Sequence, residues 1–228
     1  MKNCLILSGQ YRTFDKTCES IKTFVDKNNL DVYCAIWNED NLNLHKIEDV
    51  LSPQKTFILH QEQFIKSFDT IAENILKNNP KQPNEDKLVG NASMNFCRKV
   101  AYELVPEGYD IIVSSRYDVS LGGMVIEQIP PFIITPTEQS YGLLSDIFGI
   151  VPTQFAKHYF LFDVYEKLHS TKFEPEFLQF LETQLKYPQQ DIDIHVNQRY
   201  CPHMMLLRNL FMNNVPVVQM DLPVSIER

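Results

Sequence analysis

The sequence contains no Cys-x-x-Cys pair, no Gly-x-Gly-x-x-Gly turn, no phosphate-binding loop ending in Gly-Lys-Ser/Thr, and no apolar run near the ~18 residues a membrane helix requires. Those absences argue against zinc modules, dithiol redox chemistry, P-loop kinases or sulfotransferases, and membrane insertion. Five cysteines, Cys4, Cys18, Cys34, Cys97 and Cys201, are odd in number and scattered, which reads as free buried thiols. Basic residues are short as well: 21 Lys and Arg face 29 Asp and Glu, and the resulting formal charge of −8 repels a nucleic-acid backbone. The same balance permits a nucleotide, because a few backbone N–H groups and one metal ion hold a diphosphate locally. The apolar run behind Met1-Lys2-Asn3 is too short for a secretion signal, so the expected compartment is the cytoplasm. Asn91-Ala92-Ser93 matches a glycosylation acceptor, which without such a signal reads as coincidence. Neither an internal repeat nor a low-complexity tract is visible. What is abundant is core material: 44% hydrophobic residues, with 15 Phe and 10 Tyr in 228 positions, suffice for one globular domain.

Cys4-Leu5-Ile6-Leu7 is a continuous apolar run that stops at Ser8-Gly9, as a buried parallel strand feeding a loop does. After the loop from Ser8 to Phe14, Asp15 is expected to cap a helix with Cys18, Ile21, Phe24 and Val25 at helical spacing, ending near Asn28-Asn29. A second buried strand, Val32 to Trp37, follows at once, and this strand-helix-strand order predicts an α/β chain with a right-handed crossover. Ligands of such sheets gather beyond the carboxyl ends of the strands, which puts Ser8 to Arg12 and Trp37 to Asp40 on one cleft. Thr56 to Leu59 reads as a third strand, and Gln61 to Lys77 as an amphipathic helix with Phe64, Phe68, Ile71 and Ile75 on one face. Asn78 to Lys87 is polar and reads as a surface loop. Ser93 to Leu104 is expected as a helix, and Tyr109 to Ser115 as a strand that runs into Arg116-Tyr117-Asp118. Short strands are expected at Phe132 to Thr135 and Tyr141 to Leu144, and a late edge strand at Val217 to Met220. Between them lie proline-opened helices at about Pro152 to His169, Pro175 to Leu185 and Pro202 to Met212.

The segment Ile6-Leu7-Ser8-Gly9-Gln10-Tyr11-Arg12-Thr13-Phe14, followed by a helix and a strand ending in Trp37, resembles the opening of glycosyltransferase-like proteins of bacteria, phages and large DNA viruses. Ser93-Met94, the basic Arg98 in the same helix, and Tyr109-Asp110-Ile111-Ile112-Val113 running into Arg116-Tyr117-Asp118 are similar to that family's central Tyr-Asp, apolar-apolar, Arg-x-Arg-x-Asp signature. Ser145-Asp146 before an apolar-Gly pair and Pro175-Glu176-Phe177 are two smaller matches, and the set covers most of the chain in order. The resemblance implies a GT-A, Rossmann-like fold: a mostly parallel central sheet flanked by helices, with a helical C-terminal part. It implies one domain over residues 1–228, with 1–120 as the nucleotide-sugar half and 121–228 as the acceptor side. The implied activity is hexosyl or deoxyhexosyl transfer from a nucleotide-sugar donor to a glycan or other hydroxyl acceptor, with Mn²⁺ or Mg²⁺ at an acidic DxD element. Two departures stand out: Arg116-Tyr117-Asp118 keeps only the second acidic position, and Ser114 stands where the relatives carry the first Arg.

Glycosyl transfer separates charge, because the sugar becomes oxocarbenium-like while a nucleoside diphosphate leaves. Asp118 is accordingly the candidate metal ligand. Ser8, Gly9, Gln10, Arg12, Trp37, Arg98 and Arg116 are the candidate donor contacts. Gly9 permits close backbone approach, Arg12 offers charge near a helix amino terminus, and Arg116 presents a fixed fork of donors. If transfer inverts the anomeric centre, Asp146 is the first candidate base and Glu176 the second. Plainer readings stand beside these: a structural Arg116–Asp118 ion pair, a solvated Arg12, and Asp146 as a helix cap before Ile147. His195, in Asp191-Ile192-Asp193-Ile194-His195, is either a late metal ligand or part of an exposed strand face. From another class, an inactive nucleotide-sugar or glycan binding module keeps the same fold. A methyltransferase lacks its glycine-rich turn here, and an interaction scaffold stays open.

Overall fold

The computed structural model describes residues 1–62, 64–66, 68, 85–137, 144–145, 147–161, 173–185, 189 and 202–227. β1 (Asn3–Gly9), α1 (Phe14–Asn28) and β2 (Asp31–Trp37) form the expected unit, with β1 and β2 parallel and Leu7 opposite Cys34. α2 (Leu44–Leu51) leads to β3 (Lys55–Leu59), and α3 (Glu85–Glu103) to β4 (Ile111–Ser115). β5 (Val119–Leu121), β6 (Ile133–Pro136), β7 (Phe148–Pro152) and α4 (Thr153–Phe160) follow. The last elements described are α5 (Pro175–Thr183), α6 (Pro202–Met212), β8 (Val217–Met220) and β9 (Val224–Ile226).

Among the described residues seven strands form one sheet in the order β3-β2-β1-β4-β7-β6-β8. β3, β2, β1 and β4 are mutually parallel, β7 runs antiparallel to both β4 and β6, and β8 is parallel to β6. The fold is therefore α/β with a mixed, mostly parallel sheet, and β8 closes one edge as its sequence suggested. Strand alternation divides the core into two layers. Leu5 and Leu7 of β1, Val32, Cys34 and Ile36 of β2, and Ile111 and Val113 of β4 pack with Ile21 and Phe24 of α1 and Ile47 of α2. Cys4, Ile6, Tyr33, Ala35, Trp37 and Ile112 point the other way, onto Cys97 and Ala101 of α3, Tyr159 of α4, Phe177 of α5 and Leu206 of α6. Buried on both faces, the central strands read as unbroken apolar runs, which is why they were legible.

Several elements differ from the sequence reading. α2 is one that the periodicity did not flag, although Asn43 caps it, its side chain accepting from the Lys46 amide at 3.1 Å. Asp15 is not the cap of α1. Thr13 holds that position without a side-chain cap bond, and the Asp15 carboxylate instead accepts from Tyr11 and Lys46. The loop read over Asn78 to Lys87 overlaps helix from Glu85 onward, because Glu85-Asp86-Lys87 continues the polar stretch and yet opens the helix. β7 was missed because Gly149 resembles a turn residue and Pro152 reads as the opener of a helix to His169; Pro152 instead ends β7, and α4 runs from Thr153 to Phe160 with Leu161 as its C-cap. Gly149 is there for space, since a Cβ on it would stand 2.8 Å from the Tyr159 hydroxyl. β5 and β9 pair as a small separate sheet that was not foreseen. Leu144 is not in a strand, α5 stops at Thr183, and the rest of the strand read over Tyr141 to Leu144 lies outside the described residues. So do His195, Cys201 and most of the helix read over Gln61 to Lys77, of which residues 61, 62, 64–66 and 68 are helical. The other four cysteines are free and buried.

Candidate functional site

From β1 the chain winds outward through β2 to β3, then returns across the sheet to place β4 on the other side of β1. The two directions part between β1 and β4, and their carboxyl ends diverge there to leave a crevice. A cavity of about 490 Å³ opens at that place. It is lined by Ser8 and Gly9 at the end of β1, by Gln10 and Arg12 just after it, and by Arg116 and Asp118 beyond β4. Trp37 at the end of β2, Gln61 after β3, and Gly90, Ser93 and Met94 in α3 also line it.

Two residues, one ending β1 and one in the β1–α1 loop, have left-handed backbone. Gly9, at φ 125°, occupies a conformation that other residues rarely adopt, and Arg12 occupies φ 38° without being glycine. A strained arginine at a cleft is held there by its surroundings. Arg12 donates through Nε to Gln10 Oε1 at 2.6 Å and through Nη1 to Asp118 Oδ2 at 3.3 Å. Arg116 forks onto the same carboxylate, Nε to Oδ1 at 2.8 Å and Nη2 to Oδ2. Asp118 is 4% exposed at its side chain, Arg116 21% and Arg12 54%, so the carboxylate lies beneath two guanidinium groups that face outward.

The two loops are tied by the far end of the chain. The Thr13 hydroxyl donates to the Glu227 carbonyl at 2.8 Å, and the Glu227 amide donates to the Asp118 carbonyl at 2.8 Å. β9, paired with β5, thus braces both arginine-bearing segments through one residue. Thr17 adds a second tie by donating to the Tyr117 carbonyl at 2.5 Å. From the opposite layer Cys97 supports Gly9: its sulfur accepts from the Gly9 amide at 3.1 Å and its thiol donates to the Ala35 carbonyl at 3.3 Å. Burial pushes the Cys97 thiol pKa well up, so it stays protonated and structural. The Tyr11 amide reaches Glu39 Oε2 at 3.1 Å, joining the β1 and β2 loops. Burial raises the Tyr11 phenol, and its hydrogen bond to Asp15 raises it further. Asp15 is lowered chiefly by Lys46 and then by Tyr11. Trp37 is buried against Phe64 and Phe96, with ring centroids 5.5 and 6.5 Å away.

Ser8, Gly9, Gln10, Arg12, Trp37, Arg116 and Asp118 are therefore brought together. Arg98 is not among the lining residues. It lies one turn beyond Met94, buried, with its guanidinium 5.1 Å over the Tyr159 ring and Nη2 on Asn95 Oδ1 at 2.6 Å. α3 starts near the cleft, and each turn carries a residue 5.4 Å along the helix axis, which takes position 98 away from it. Glu176 is exposed in the first turn of α5 and does not line the cleft. Asp146 lies outside the described residues. No helix follows it, because the chain enters β7 at Phe148, so the helix-cap reading falls. Sequence reasoning missed the supporting Cys97, Thr13 and Glu227. Gln61 was within reach, since it follows β3 at the same sheet edge.

The site does not fit the divalent cation that the resemblance implies. Among the described residues Asp118 is the one acidic residue lining the cavity, and its oxygens already accept three guanidinium N–H groups. Among the described residues no group of three or more His, Cys, Asp or Glu is placed to share an ion. A hard cation asks for several oxygen ligands and would meet two arginines at close quarters.

No protein-family profile matches the chain, and no curated protein matches it in sequence. Solved structures do match in backbone path. Mouse xyloside xylosyltransferase 1, in its apo form, aligns at 9% identity over 96% of this chain and 84% of its own, with a TM-score of 0.48. The glycosyltransferase GlyE of Streptococcus pneumoniae TIGR4 aligns at 11% identity over 96% of this chain, with a TM-score of 0.41. This chain spans 46% of GlyE. Those likenesses assign no chemistry to this chain. Among the described residues no helix is long and apolar enough to cross a membrane.

Proposed function

We propose that this chain is a glycosyltransferase that takes a sugar from a nucleotide-sugar donor to a hydroxyl of a glycan or similar acceptor. The observation that carries the reading is the cationic crevice at the divergence of β1 and β4, where Arg12 and Arg116 share one buried carboxylate. A nucleoside diphosphate suits such a crevice: its charge meets the arginines, and the carboxyl ends of parallel strands leave room for it. In the reaction the bond from the anomeric carbon to the diphosphate oxygen breaks, and the acceptor oxygen forms the new one. The acceptor proton passes to a base, and guanidinium donors meet charge growing on the leaving oxygen. Residues 1–120 supply the donor half and 121–228 the acceptor side. Asp146 is the first candidate base and Glu176 the second.

A second reading has its own support. Among the described lining residues the sole carboxylate is Asp118, which is already spent on two arginines. A binding module that holds a nucleotide sugar without transfer needs no more than that. Incubation with nucleotide-sugar donors and glycan acceptors, with nucleoside diphosphate release as readout, separates the two. Acceptor-dependent release supports transfer, and saturable binding without release supports the module.

A further inference from the structure

We propose that the cleft binds the phosphate groups of its ligand directly through Arg12 and Arg116, with Asp118 serving as the arginines' built-in counter-ion and not as the ligand of a cation. The inference rests on the donor-site reading above and deepens it, yet it is testable with a bare phosphate anion.

Three observations converge. First, the two arginines and one aspartate sum to a formal charge of +1, and among the described residues no other charged side chain lines the cavity. A pocket in a chain of net charge −8 that is locally positive is arranged for an anion. Second, the layering runs the wrong way for a metal site. The carboxylate is 4% exposed, whereas the arginine side chains above it are 54% and 21% exposed. A cation's ligand would be the open group of the set; here the arginines are the open groups and the carboxylate is the covered one. Third, donors remain. Among the described residues Arg12 Nη2 and Arg116 Nη1 make no hydrogen bond, so each guanidinium keeps N–H groups for an incoming oxygen after satisfying Asp118.

Asp118 then has a definite task. It holds both forks at fixed separation in the absence of ligand and offsets their mutual repulsion. The Glu227 brace on its backbone and the left-handed Arg12 keep that separation set before the ligand arrives. Such preorganised donors match a diphosphate, whose neighbouring oxygens accept paired N–H bonds.

The test is calorimetric titration of the intact chain with inorganic pyrophosphate at fixed ionic strength, in EDTA and again with Mn²⁺. Binding in EDTA is expected, with Arg12→Ala and Arg116→Ala each weakening it by about tenfold or more. Asp118→Asn is expected to bind at least as tightly as the parent, with a steeper salt dependence. If Asp118→Asn fails to fold, the comparison of EDTA with Mn²⁺ on the parent protein decides. Binding that requires Mn²⁺ and is lost in a folded Asp118→Asn variant overturns the proposal. So does an intact chain that ignores pyrophosphate while a nucleotide sugar still binds, which leaves the donor-site reading standing. Failure of both ligands removes both.

Discussion

Arg12 and Asp118 are 106 residues apart in sequence, yet their side chains meet at 3.3 Å between Nη1 and Oδ2. That contact joins the end of β1 to the end of β4 across the point where the sheet's winding reverses, and it requires Arg12 to hold a left-handed backbone.

The strain and the charge at Arg12 are separable. Left-handed backbone costs a non-glycine residue about 1–2 kcal/mol, so Arg12→Gly should be more stable than Arg12→Ala by roughly 1 kcal/mol in urea titration. Both variants lose the guanidinium. Both should therefore bind donor more weakly by about tenfold or more, corresponding to ~1.5–3 kcal/mol. Equal stability of the two would mean that position 12 is unstrained in solution.

Cys97 should act through Gly9. Cys97→Ala leaves the Gly9 amide without its acceptor, at a cost of about 1–3 kcal/mol, while Cys97→Ser keeps a donor and an acceptor in place. Hydrogen exchange at the Gly9 amide should quicken in the alanine variant and less so in the serine variant. Unchanged exchange in Cys97→Ala would show that the sulfur does not hold the loop.

The brace at Glu227 predicts a loss of affinity without any loss of charge. Thr13→Val removes the hydroxyl that reaches the Glu227 carbonyl, so the arginine loops should drift and pyrophosphate affinity should fall a few-fold. Thr13→Ser should restore it. An affinity that follows neither substitution would detach the last strand from the site.

Glu174 gives a pH signature in the helical part. Its carboxylate takes the Arg208 fork, Nε at 2.7 Å together with Nη2, and this partner holds its pKa below the usual carboxylate value. A carboxyl depressed in the folded state stabilises above its unfolded pKa, and that stability is lost as pH falls through the folded pKa. Glu174→Gln should thus destabilise by about 2 kcal/mol near neutrality, and the difference from the parent should shrink in acid below the usual Glu range. A gap that stays constant with pH would contradict the ion pair.

What was legible in the sequence followed from burial. β1, β2 and β4 are buried on both faces, so their apolar runs announce strands, and the rule that ligands lie beyond carboxyl ends placed Gly9, Arg12, Trp37 and Asp118 on one cleft. Where local signals conflict with tertiary packing the reading failed. Gly149 looks like a turn residue because the strand interior has no room for a side chain beside Tyr159, and the polar Glu85-Asp86-Lys87 looks like loop although it opens a helix. The supports of the site were invisible for another reason. Glu227 acts through its backbone and Cys97 through a sulfur hydrogen bond, and neither leaves a periodicity or a charge pattern to read.

A thermal-shift panel of nucleoside-diphosphate sugars, run on the parent protein and on Arg12→Ala, bears on the donor site itself. A ligand at a hundredfold excess over its Kd stabilises by about 2.7 kcal/mol, which for a chain of this size raises Tm by roughly 5–10 °C. At least one nucleotide sugar should produce such a rise in the parent and a much smaller one in Arg12→Ala. A panel that leaves Tm unmoved, or moves it equally in both proteins, would contradict a nucleotide-sugar site in this cleft.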